Sequence, residues 1–352
     1  MDTMDTDVKR AVCDFDNLYK AMNKCKKGVI WKTPVARYVN NGIVSVHKTR
    51  KDLLTDKRKI KPYNIFTIHE PKTREIVSVQ FEDRVFQTSL NDNYLYDTMT
   101  NSFIYDNHAC QVGKGTDLAR DRLKTCMQKF FRKHGTEGYV LSCDFKNYFG
   151  STRHDIAKKT VRKSVDDKWA LMHTDMIIDS FNHGEDPEVG MGLGSPITQL
   201  TQLALPDELD HFIKEKLKIK YYIRYMDDLI LIHHDKEYLN YCLKEIKNFI
   251  EPLGINLNNK KTQLYKLKQG INFLGFKFKL TDTGRVLMLL SKENIKRRKR
   301  KIKKHKILLD KGEMTEEQIE QSFEGWKAHA KKGNNYRVIK DMEKFYRKTM
   351  MG

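Results

Sequence analysis

Residues 221–233 read YYIRYMDDLILIH: two short aromatic and β-branched runs, Tyr221–Tyr225 and Leu229–His233, with Met226-Asp227-Asp228 between them. Such a pattern predicts a β-hairpin carrying carboxylates at its tip. Adjacent carboxylates repel, and the cost is offset when divalent cations, which favour hard oxygen ligands, bind there. A second apolar run, Tyr139–Phe145 (YVLSCDF), ends on Asp144, 83 residues before Asp227. If the two strands are neighbours, Asp144 and Asp227 can bracket two Mg²⁺ ions roughly 3.5–4 Å apart, as in-line phosphoryl transfer requires. An arbitrary Asp-Asp pair is usually a solvated turn; the flanking strands and the second strand-ending aspartate set this one apart.

Working outward, Asn64–His69 and Arg74–Gln80 alternate on either side of Glu70-Pro71-Lys72-Thr73, which predicts a hairpin with a basic tip. Helical patterns cover Val8–Lys26, Asp83–Thr98, Thr116–Lys133, Arg153–Val165, Asp167–Phe181 and Glu237–Leu253. A glycine turn at 190–194 opens one long helix from about Pro196 to Lys216, and Phe273–Leu280 reads as a single strand. Residues 27–60 read as basic and mostly polar. The whole is α+β: aspartate-bearing strands backed by helices in a palm-like arrangement.

The 352 residues can bury two or three lobes of core. The longest apolar runs, such as Val286–Leu290, fall far short of the ~20 residues of a membrane span. Six scattered cysteines without a CxxC pair, and an acidic N-terminus without an apolar signal segment, point to free thiols in a cytoplasmic protein. The formal net charge is +20, and half of it falls within residues 281–352. Nucleic acid is the natural partner for such a chain, and no membrane partner is expected.

Taken in order, VLSCDFKNYFGS, GMGLGSPITQ, YMDD, LNNKKTQ and INFLGFKF resemble the motifs of reverse transcriptases, over roughly Asn64 to Phe278. Within that family the likeness is to bacterial enzymes: retron, group II intron, diversity-generating retroelement and phage-defence lineages. The resemblance implies a right-hand polymerase with fingers, palm and helical thumb. Its divisions would be an N-terminal extension (1–60), fingers (61–135), palm with inserted fingers helices (136–280) and a basic thumb (281–352). It implies two Mg²⁺ ions, with Mn²⁺ as an alternative, held by Asp144, Asp227, Asp228 and the Phe145 carbonyl.

By the same resemblance, Phe149 would reject a ribose 2′-hydroxyl, with Tyr148 packed nearby, and Lys261 would protonate the leaving pyrophosphate. Arg74 and Arg84 would hold triphosphate oxygens, since a guanidinium fork matches phosphate; Lys72 is a weaker third candidate. Gly194 and Gln199 would border the nucleotide, Phe273-Leu274-Gly275 would form the primer grip, and Gln111–Gly115 would approach the template or the incoming nucleotide. Lys296, Arg297, Arg298, Arg300 and Lys303 would track nucleic-acid phosphates, and Trp326, His329 and Asn334-Asn335 would pack or touch RNA.

Two departures stand out. Leu193 replaces a glutamine of the family's middle motif, and Gln199 replaces a proline, as in diversity-generating retroelements. The partners implied are dNTPs, a structured noncoding RNA as template or primer, the cDNA product, and an accessory protein or a second copy of the chain. A diversity-generating role and a phage-defence role stand open side by side, as do template-free synthesis by the same site and an inactive nucleic-acid-binding relative. The residues after Phe278 offer no ribonuclease H or endonuclease constellation, so template degradation and target cleavage are expected to come from elsewhere.

Overall fold

The computed structural model describes residues 6–69, 73–182 and 186–351. The N-terminal helix expected at 8–26 is two, α1 (Asp7–Val12) and α2 (Phe15–Cys25), because the Asp14 side chain accepts the Asn17 N–H and starts a fresh helix. The polar stretch that follows folds as α3 (Thr33–Asn40) and α4 (Gly42–Leu54), which bury Val35, Val46 and Leu53 under a basic surface. The hairpin is present, with β1 (Asn64–Ile68) antiparallel to β2 (Arg74–Ser78). Next come α5 (Phe81–Leu90), a π turn at Asn91–Leu95 and α6 (Tyr96–Thr100), which run on without a break as the one helix expected, with helical backbone at both junctions.

The central part runs α7 (Thr116–His134), β3 (Tyr139–Asp144), α8 (His154–Arg162) and α9 (Lys168–Asp179). The long helix expected from Pro196 to Lys216 is broken into α10 (Pro196–Ala204), α11 (Asp207–His211) and a π turn (Phe212–Lys216). Pro206 is the cause, having no N–H to continue the ladder. Then follow β4 (Tyr221–Tyr225), β5 (Asp228–His233), α12 (Lys236–Ile250) and β6 (Gln263–Lys266). The strand expected at 273–280 is a hairpin, β7 (Ile271–Phe273) and β8 (Phe276–Leu280), joined by β9 (Val286–Leu290) into a separate three-stranded sheet. Helices α13 (Lys292–Asp310), α14 (Glu316–Lys331) and α15 (Tyr336–Met351) close the chain around Ile302, Phe323 and Met342.

The palm sheet has the order β4-β5-β3-β6 and is antiparallel throughout. Its apolar continuity in LILI follows from burial on both faces. Leu229 and Leu231 pack with Leu239 and Ile246 of α12, whereas Ile230 and Ile232 pack with Leu123, Met127 and Phe130 of α7. A second core joins Leu18, Met22, Val46 and Leu53 of the N-terminal helices to Phe86, Trp169, Ile177 and Ile197. The outer edge of β4 is covered by residues 106–108: Arg224 N–H donates to Asp106 O, and His108 N–H donates to Arg224 O. Among the described residues, no helix is long and apolar enough to cross a membrane.

Candidate active site

The register of the palm strands sets Asp144 directly opposite Asp228, and the Phe145 N–H donates to the Asp227 carbonyl at 3.2 Å. Both carboxylate-bearing segments therefore end at one point of the sheet. The hairpin tip is tight, with Met226 at φ 54°. Asp144 is held from behind by Asn258, whose N–H donates to its carbonyl at 2.7 Å. From the same loop, Lys261 Nζ donates to Asp144 Oδ2 at 2.5 Å.

The electrostatics are those of an under-compensated acidic site. Burial pushes the Asp228 carboxyl up to about 7, the charges of Asp227 and Asp144 adding to it and Lys261 opposing. Burial alone would lower the Lys261 pKa, but its bond to Asp144 and the charges of all three aspartates outweigh this and raise it. Asp144 is 6% exposed, and its Oδ1 is buried without a hydrogen-bond donor. That orphaned oxygen and the excess of negative charge from one buried and two half-buried carboxylates are what a divalent cation would satisfy. Among the described residues, no three Asp, Glu, His or Cys side chains already close around an ion position. Lys261 stands on Asp144 instead, so the donor set fits a cation by its chemistry once that lysine yields.

In front of the aspartates lies a cavity of about 690 Å³, lined by Asp144, Phe145, Tyr148, Phe149, Asp227 and Lys261, by Met191-Gly192-Leu193, and by Thr73, Glu75 and Val77 at and before β2. Phe145 is buried with its ring 5.1 Å from that of Tyr148, and Phe149 stands edge-on to Tyr148 at 5.9 Å. A side chain at Gly192 would meet the Phe181 ring at 2.2 Å, so only glycine lets that turn close on the cavity. Gln199 does not line the cavity; its Nε2 donates to the Leu193 carbonyl at 3.2 Å and braces the glycine turn. Arg84 brings Nη2 to 3.7 Å from where a Cβ at Gly194 would stand. Arg74 opens β2 opposite Ile68, and Lys72 lies outside the described residues.

Phe273-Leu274-Gly275, expected as a primer grip, lie at a turn between β7 and β8 and not in the middle of a strand. Leu274 and Gly275 take φ of 45° and 87°, and Arg120 of α7 donates to the Leu274 carbonyl at 2.7 Å. Within 111–115, Lys114 Nζ donates to the carbonyls of Asn107 (2.8 Å) and Tyr105 (3.1 Å), which ties the lysine to its own loop. Lys296, Arg297, Arg300 and Lys303 are exposed along α13. Arg298 is not: it is 6% exposed, with its guanidinium 5.3 Å from the Phe323 ring and 5.9 Å from that of Trp326. Asn334 and Asn335 accept the N–H groups of Met288 and Leu290, which makes them a structural clamp on β9. Sequence reasoning missed Glu75, Asn147 and Asn258 at the cavity. Asn258 alone had a signal, its place three residues before Lys261.

Residues 69–278 match the family model described as reverse transcriptase (RNA-dependent DNA polymerase), more than half of the chain. The chain belongs to the reverse transcriptase family, and its fold is the right-handed polymerase fold. A putative COX1/OXI3 intron 2 protein of Saccharomyces cerevisiae is 21% identical over 355 residues, covering 80% of this chain; the chain spans about 40% of that relative's length. Among solved structures, telomerase from Candida albicans in complex with the TWJ fragment of telomeric RNA matches with a TM-score of 0.50 and 12% identity, over 85% of this chain and 62% of that one. An apo telomerase from Candida tropicalis, truncated from its C-terminal domain, matches at 0.48 and 14%, over 70% and 60%. At 12% identity the likeness to the Candida albicans structure is one of fold.

Proposed function

We propose that the protein extends a DNA strand from dNTPs on an RNA template. The observation that carries this is the pairing of Asp144 with Asp228 across β3 and β5, with Asp227 and Phe149 lining one cavity. Asp144, Asp227 and Asp228 would hold two divalent cations, Mg²⁺ or Mn²⁺, which supply activation of the primer 3′-hydroxyl and neutralisation of the triphosphate when bound. The chain's own groups do the rest. Phe149 occupies the space of a 2′-hydroxyl, Arg74 and Arg84 hold phosphate oxygens, and Lys261 gives a proton to the pyrophosphate as the bond from the α-phosphorus to its oxygen breaks. Phe273-Leu274-Gly275 seat the primer, and Lys296, Arg297, Arg300 and Lys303 follow the phosphates of the bound duplex.

The working divisions are the fingers at 61–135, the palm at 136–280 and the thumb at 281–352, with residues 1–60 as an extension built into the fingers core. The template is a dedicated structured noncoding RNA of a bacterial element, in a diversity-generating retroelement or a phage-defence system. Gln199 at the middle motif favours the diversity-generating role and the altered turn around Leu193 the phage-defence role equally, and an accessory protein or a second copy would complete the particle. Incubating the purified chain with labelled dNTPs or rNTPs, with and without an RNA template and annealed DNA primer, tests the activity. Template-dependent dNTP incorporation that Asp227→Ala abolishes is expected. Incorporation indifferent to template makes it a terminal transferase, and none at all overturns the proposal.

A further inference from the structure

Behind the aspartate turn lies a charge pair that the polymerase reading does not use. Arg224 of β4 and Asp210 of α11 are both fully buried and 2.7 Å apart. Asp210 Oδ1 also accepts the Tyr222 hydroxyl at 2.5 Å and Arg224 Nε at 2.8 Å. The remaining arms of the guanidinium reach two backbone carbonyls: Nη1 donates to Met226 O at 3.2 Å and Nη2 to Leu203 O at 3.0 Å. Met226 is the residue at φ 54°, a strained setting for a side chain of its size, and Asp227 follows it directly. The Leu203 carbonyl belongs to the last turn of α10, beside the Pro206 break. Pro206 has no N–H to give the Gln202 carbonyl, which accepts the Tyr148 hydroxyl at 2.6 Å instead. Two successive carbonyls of one broken helix thus anchor the ring beside Phe149 and the arginine beneath the aspartates.

We infer that Arg224, locked by Asp210, is the positioning residue of the Asp227-Asp228 turn. Its fork fixes the Met226 carbonyl and with it the direction in which the two carboxylates leave the hairpin. Arginine is required because one planar group must face a carboxylate and two carbonyls at once; a lysine keeps the charge opposite Asp210 but has no fixed fork. The inference rests on the polymerase reading of this same site.

The test compares the full chain with Arg224→Lys and Tyr222→Phe, the latter deleting only one bond to Asp210. Three properties are read: thermal melting, Mn²⁺ binding by electron paramagnetic resonance without substrates, and kcat and KM for dNTP on a primed RNA template. For Arg224→Lys, kcat falls by about 10- to 100-fold while KM stays within about threefold, since ångström-scale misplacement costs rates of that order. Mn²⁺ binding weakens by about tenfold, and Tyr222→Phe moves kcat and Mn²⁺ binding the same way by about two- to fivefold. A folded Arg224→Lys with unchanged kcat and Mn²⁺ affinity, or with a change in KM alone, overturns the inference. Should Arg224→Lys not fold, Tyr222→Phe decides by the same two readouts. A wild-type chain that incorporates no dNTP sinks the polymerase reading instead, and Mn²⁺ binding by the variants still decides the positioning role.

Discussion

The four-stranded sheet that carries the aspartates and the C-terminal helix α13 are both crowded with charge, but the charge is disposed in opposite ways. In the sheet three carboxylates, Asp144 buried and Asp227 and Asp228 half-buried, are fixed by strand register and opposed by one lysine, so each would act through its position. Along α13 the cations are many and exposed, so they act through their number, screened and interchangeable. Arg298 is the exception that sharpens the contrast, a thumb cation drawn into the apolar interior among Phe323 and Trp326.

The largest effect should come from the palm. Asp227→Ala is expected to lower primer extension on the order of 10³-fold or more with melting and RNA affinity little altered; a loss comparable to that of one thumb lysine would erase the distinction. Next is Phe149→Val, where the ratio of kcat/KM for dNTP over rNTP should fall by about 10- to 100-fold, because the pocket gains room for one hydroxyl. Equal discrimination in the variant would mean that the ring is only packing. For the thumb, replacing Arg297, Arg300 and Lys303 together by glutamine should flatten the slope of log K for RNA against log salt by about 2 to 3. An unchanged slope would show that α13 does not face the nucleic acid.

The smallest effect separates the buried cation from its neighbours. Burial lowers the Arg298 pKa, and its Nε and Nη2 are without partners. Arg298→Met should therefore raise stability by about 1 kcal/mol, as trading an uncompensated buried charge for an apolar side chain often does, and should leave the salt slope alone. A urea titration of Arg298→Met beside Arg300→Gln checks this. If Arg298→Met destabilises and flattens the salt slope, Arg298 belongs with the solvated set after all.

What the sequence disclosed follows the same division. The YMDD hairpin and the strand ending at Asp144 were legible because both faces of those strands are largely buried, which writes LILI after the acids and near-continuous apolar runs, interrupted only by Arg224 and Ser142, before them. The broken helix at Pro206 was written too, in a residue that cannot donate, but the apolar pattern of 196–216 runs through it. Helices α3 and α4 were obscured because a basic exposed surface hides three buried aliphatic residues, Val35, Val46 and Leu53. No local signal could separate Arg298 from Arg297 or Arg300: the rings that bury it stand some 25 residues later in the chain. Likewise Gln199 pointed at the nucleotide by motif, while its hydrogen bond goes to the Leu193 carbonyl. The turn at Leu274-Gly275 depends on positive φ at a leucine, which pattern alone does not foretell.

The covering of β4 by residues 106–108 has a consequence for how copies of this chain behave in company. A strand edge left bare is a template on which another chain can pair, and proteins that expose one tend to assemble or aggregate through it. Here the strand leading into the Asp227-Asp228 turn has its outer N–H and C=O at Arg224 already engaged by Asp106 and His108. Molecules gathered at high local density would therefore not zip together through the edge of β4 at that point.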